Sequence, residues 1–65
     1  MSAAVIEGDE QAKKYLMNKY RVSSRRANTI LNDAYDYNKT VFTTDDGETV
    51  TVKYSRNHYV IGEDI

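Results

Sequence analysis

The sequence predicts an α+β domain: two helices joined by a tight turn, followed by an antiparallel β-hairpin or three-stranded meander. Three observations predict it. Apolar residues recur every three or four positions from Ala12 to Tyr35, the period changes to two from Thr40 onward, and Asp45-Asp46-Gly47-Glu48 divides the alternating stretch with a turn signal.

Each element follows from its own residues. Asp9 is positioned to cap a helix over 9–21 whose apolar face is Ala12, Tyr15, Leu16 and Tyr20. Val22 then breaks the pattern, and either Ser23 or Ser24 can accept a bond from the free amides of a second helix over 24–37. That helix buries Ala27, Ile30, Leu31, Ala34 and Tyr35, and Asn38 is suited to end it because asparagine tolerates the left-handed conformation. Strands are expected over 40–44, 49–54 and 58–61, with the ends 1–8 and 62–65 flexible and 1–65 forming a single small domain.

Two registers compete for the first hairpin. A two-residue Asp46-Gly47 turn sets Val41 beside Val52 and pushes Phe42 outward. A type I turn over Asp45-Asp46 with Gly47 in a bulge instead gathers Phe42, Val50, Val52 and Tyr54 on one face. The second is preferred because it buries the only phenylalanine.

Composition limits the chemistry. A chain of 65 residues buries roughly 60% of its unfolded surface and is marginally stable alone. With no cysteine and one histidine, His58, neither a disulfide nor a metal staple can be assembled, and no cofactor is expected. A catalytic set needs a base in reach of a nucleophile and a third group to orient it; no such set is legible, so the chain reads as a binder and not an enzyme. The apolar patch Ala3-Ala4-Val5-Ile6 has no basic flank and is no signal peptide, and no run approaches the roughly 20 apolar residues that cross a bilayer. No membrane association and a cytoplasmic location are the corresponding expectations.

The net charge of −1 conceals a segregation. Lys13, Lys14, Lys19, Arg21, Arg25 and Arg26 lie between Gln11 and Asn32 with no acid among them, while the rest of the chain carries all ten acids. Solvated helix faces usually mix signs, so a one-signed segment favours an anionic partner.

From Leu16 to Leu31 the chain resembles a helix-turn-helix, with Leu16, Tyr20, Val22, Ala27 and Ile30 spaced so that one helix packs across another. The stretch Tyr20-Arg21-Val22-Ser23-Ser24-Arg25-Arg26-Ala27-Asn28-Thr29-Ile30-Leu31 is similar to the turn and recognition helix of the winged-helix gamma domain of bacterial DNA translocases, and a following hairpin also belongs to small phage and transposon excisionases. The resemblance implies double-stranded DNA as ligand and a winged-helix-like fold. It places Ser24, Arg25, Arg26, Asn28, Thr29 and Asn32 in the major groove, where arginine pairs with guanine and asparagine with adenine. Lys13, Lys14, Lys19 and Arg21 become phosphate contacts. A domain of this size buries little DNA surface, so a homodimer or a cooperative array is expected, and the size and analogy suggest a regulatory or accessory factor of a phage or mobile element, with transcription regulation as one role.

A second reading belongs to another class. Asp45, Asp46 and Glu48 make the hairpin tip acidic, the wrong sign for approaching phosphate, so the tip and a tyrosine-rich surface can instead capture a host protein as an inhibitor or adaptor would. Six tyrosines also invite stacking of single-stranded bases on Tyr54 and Tyr59, but core duty for Tyr15, Tyr20 and Tyr35 is the stronger reading.

Overall fold

The computed structural model describes residues 3–63. Along the chain come β1 (Ala3–Glu7), α1 (Asp9–Tyr20), α2 (Ser24–Tyr37), β2 (Lys39–Thr43), β3 (Thr49–Ser55) and β4 (His58–Gly62). The strands form one antiparallel sheet in the order β1-β4-β3-β2, with both helices packed on one of its faces. The α+β class and the three-stranded meander are as the sequence predicts.

Several predictions need correction. The segment 1–8 was expected to be flexible, yet Ala3–Glu7 is an edge strand paired with β4, from Ala3 opposite Gly62 to Glu7 opposite His58. The physical reason lies in the alternation that the apolar patch conceals: Ala4 and Ile6 turn inward and Val5 outward, and Ile6 packs against the core. At the other end Gly62 is likewise in the sheet, pairing with both Ala3 and Thr51. The remaining residues of both tails, 1–2 and 64–65, lie outside the described residues.

The first helix starts differently from expectation as well. Asp9 is not its cap; Gly8 holds that position with φ 89°, a conformation open to glycine, and makes no side-chain bond. Asp9 is instead inside the first turn, where its Oδ1 accepts a 2.7 Å hydrogen bond from the hydroxyl of Tyr59. Two left-handed residues then terminate the helices, Arg21 at φ 58° and Asn38 at φ 68°. Between them Val22 is buried, and Ser23 caps α2 by accepting a 3.1 Å bond from the Arg26 amide.

The hairpin takes the bulged register. Phe42 lies opposite Val50 and Thr43 opposite Thr49; the turn closes with Thr44 N–H donating to Glu48 O at 2.8 Å and Gly47 N–H to Thr44 O at 3.0 Å. Gly47, at φ 88°, supplies the left-handed residue that this turn requires. Phe42, Val50 and Val52 are consequently buried beneath the helices, with Ile61, Tyr59, Leu16, Ala12, Ala27, Ile30, Leu31 and Ala34. In so small a core one truncation matters: Leu16→Ala removes a fully buried side chain at a typical cost of about 3 kcal/mol.

The aromatic residues divide between core and surface. Tyr20 bridges α1 and the hairpin, edge-on to Tyr15 at 6.2 Å and to Phe42 at 5.8 Å. Tyr35, assigned to the core stripe from sequence, is 58% exposed. It sits one position beyond Ala34 on the flank of α2, so its ring reaches past the core edge to Tyr54.

Candidate nucleic-acid interface

The inward positions of α2 are Ala27, Ile30, Leu31 and Ala34, which fixes the helical phase of the rest. The opposite line runs Arg25, Thr29, Asn32, Asp36, and all four are exposed. Ser24 and Asn28 occupy the flank that also carries Tyr35, and both are exposed. The N-terminal half of this surface is therefore cationic and amide-rich, and acid enters with Asp33 and Asp36 in the C-terminal half.

Arg26 faces the other way. Its Nη2 donates a 2.9 Å bond to the carbonyl of Thr43, and its guanidinium lies 5.7 Å from the centre of the Phe42 ring. This geometry straps α2 to the edge of β2 and uses the side chain structurally. Thr29 Oγ1 donates to the Arg25 carbonyl at 3.2 Å, leaving its methyl and one acceptor site outward.

The α1 cations split in the same manner. Lys14 is exposed on the outer side, where it lines a shallow cleft with Ile6, Gln11, Tyr15 and Asn18, and Lys13 is half-buried. Lys19 and Arg21, by contrast, border a cleft of about 230 Å³ whose far wall is Thr44, Asp45, Asp46 and Glu48. A neighbouring cleft sets Asp45 across from Arg21, Ser23 and Arg26. The acidic hairpin tip thus folds over the helix corner, and part of the basic segment faces carboxylates of its own chain.

Among the described residues no cation of the corner reaches a carboxylate within 4 Å, and the single such pair is His58 with Glu7, at 3.6 Å. The tip acts at longer range. Glu48 has its carboxyl pushed above the usual range, first by a hydrogen bond with Glu63 and then by that group's charge, with Lys19 pulling the other way. Tyr20, beside them, is raised from 10.0 to about 12, chiefly by burial and then by Tyr15 and the two glutamates. This juxtaposition of Glu48 with Glu63 is a feature that composition does not disclose, because the two become neighbours only through the β3–β4 register.

Of the ten residues predicted from sequence, the structure gathers Ser24, Arg25, Asn28, Thr29 and Asn32 on one exposed surface, with Lys13 and Lys14 on the adjoining helix. It diverts Arg26 to β2 and turns Lys19 and Arg21 toward the tip. Among the described residues no group of three or more histidine, cysteine or acidic side chains is arranged to hold a metal ion, and no helix is long and apolar enough to cross a membrane.

Comparison with protein-family models, with curated proteins and with solved structures returns no match. The resemblance to winged helix-turn-helix domains accordingly rests on the residues from Leu16 to Leu31 and on the corner they form.

Proposed function

We propose that the chain binds double-stranded DNA, laying the N-terminal half of α2 in the major groove. The observation that supports this most is Arg25. It stands in the first turn of α2 with Arg26, where no acid balances the helix dipole, and it has no carboxylate within 4 Å among the described residues. A cation at that end of a helix opposes the macrodipole, so its placement is unfavourable in the isolated domain and is relieved by an external anion.

Roles then follow from position. Arg25 reads a guanine or grips a phosphate, Asn28 and Asn32 present amides to base edges, Thr29 offers its methyl to thymine, and Ser24 meets the backbone at the helix start. Lys13 and Lys14 act as phosphate contacts from α1. Arg26 works at one remove, holding the hairpin against the reading helix. The acidic tip lowers affinity and restricts approach to the α2 side. A surface this small fits an accessory or regulatory factor of a phage or mobile element that acts as a homodimer or in cooperative arrays, in the cytoplasm.

A fluorescence anisotropy titration of a labelled mixed-sequence duplex at low salt tests the reading. Saturable binding that weakens at least tenfold in the Arg25→Ala, Asn28→Ala double variant is expected. Flat anisotropy at the lowest salt, or unchanged affinity of the double variant, contradicts it.

A second reading, capture of a protein partner, is favoured by a separate observation. Tyr35 and Tyr37 are 58% and 75% exposed at the end of the molecule remote from Arg25.

A further inference from the structure

The end of the domain opposite the helix corner carries different chemistry. There β1 passes into α1 through Glu7, Gly8 and Asp9, which form one wall of an open cleft of about 420 Å³; Tyr35, Tyr54, Tyr59 and Asn57 form the other. The lining contains two carboxylates and neither lysine nor arginine.

Its rings are held in place. Tyr54 lies 4.9 Å from Tyr35 and 4.9 Å from Tyr59 between ring centres, with interplanar angles of 51° and 56°. The Tyr54 hydroxyl donates to Asn57 Oδ1 at 3.1 Å and the Tyr59 hydroxyl to Asp9 Oδ1 at 2.7 Å. These bonds fix the rings and leave Asp9 with a second oxygen. The Glu7 side chain stays 76% exposed although His58 Nε2 stands 3.6 Å from its carboxylate.

We propose that this cleft receives the guanidinium of an arginine side chain presented by a partner polypeptide. Charge complementarity selects a cation, since the two carboxylates repel phosphate and carboxylate ligands alike. Ring geometry selects arginine over lysine. A guanidinium is planar, stacks on the exposed ring of Tyr35, and offers forked donors to Glu7 and the open oxygen of Asp9; an ammonium is drawn to the same ring but has neither the plane to stack nor the rigid fork. The openness of the cleft selects a side chain carried on a larger surface, because a free small molecule is usually enclosed over most of its area. The site lies at the pole away from Arg25, so it operates independently of any DNA bound there.

Amide chemical-shift titrations of the intact chain with three probes test the proposal: a capped glycine-arginine-glycine tripeptide, its lysine counterpart, and methylguanidinium. Shifts concentrated at Gly8, Asp9, Tyr35 and Asn57 are expected for the arginine tripeptide, with weaker binding of the other two. Tyr35→Ala and Glu7→Gln, both at exposed positions, each weaken that binding roughly fivefold, the size of an exposed cation–π contact or ion pair, and Arg25→Ala leaves it unchanged. The proposal is overturned by lysine binding equal to arginine, by shifts at Asp45 and Asp46 matching those at the cleft, or by full binding in Tyr35→Ala. Methylguanidinium binding as tightly as the tripeptide overturns the assignment to a polypeptide.

Discussion

Tyr59 in β4 donates a 2.7 Å hydrogen bond to Asp9 in the first turn of α1, closing 50 residues of chain across the sheet-to-helix interface. Tyr59 as a whole is only 2% exposed, and its hydroxyl meets Asp9 at the border of the open cleft, where the bond is part-buried. Asp9→Ala should therefore lower stability by about 1 kcal/mol, the size of a typical net hydrogen bond, and Tyr59→Phe by a similar or smaller amount because the exposed Asp9 is rehydrated. Chemical denaturation with an unchanged m value checks the pair; a loss below about 0.5 kcal/mol in Asp9→Ala argues against the bond.

Alkaline pH is the second lever. Burial is the main cause of the raised tyrosines, taking Tyr20 from 10.0 to about 12, and Tyr59 is raised further with help from its Asp9 bond. A group raised on folding contributes stability that is complete below its unfolded value and disappears as pH climbs through its folded one. Melting temperature should fall between pH 10 and pH 12, and the fall should shrink in Tyr20→Phe. A flat profile across that window contradicts the assignment.

Arg21 tests the helix corner. At φ 58° it occupies the left-handed region, which costs a residue with a Cβ roughly 1–2 kcal/mol. Arg21→Gly should stabilise the fold by about 1 kcal/mol after the greater freedom of unfolded glycine is counted, raising the melting point by about 4–8 °C. Because Arg21 faces the hairpin tip, the same variant should leave the salt dependence of DNA binding intact. A destabilised Arg21→Gly places the corner elsewhere.

The hairpin tip should act as a brake. Asp45→Asn combined with Asp46→Asn removes two negative charges from the pole that carries Arg25, and duplex affinity should rise severalfold at low salt, the difference closing as salt screens it. Loss of duplex binding in this variant excludes the brake. Glu48→Gln adds a stability readout: its carboxyl is raised from 4.5, so the substitution should stabilise the chain near neutral pH, with the gain vanishing as pH falls below 4.5.

Much of this architecture is legible in the sequence because it is local. The 3.6-residue spacing of Ala27, Ile30, Leu31 and Ala34, the cap at Ser23 and the bulged turn at Gly47 are each specified by neighbours within a few positions. What escapes is non-local. β1 hides because Ala4 and Ile6 look like a tail until β4, more than 50 residues on, offers an edge. The diversion of Arg26 depends on where Thr43 O comes to rest, and the tyrosine cleft on stacking residues from α2, β3 and β4 together. A block of six cations is visible in the chain; which of them its own acids face is decided only by the fold.

The most direct test of the central claim is the salt dependence of duplex affinity, measured on the unmodified chain and on Arg25→Ala. With roughly three phosphates neutralised by Arg25, Lys13 and Lys14, log affinity should fall against log salt with a slope of about −3, easing to about −2 when Arg25 is removed. A slope near zero, or one unaffected by the substitution, means that α2 does not meet a phosphate backbone through Arg25.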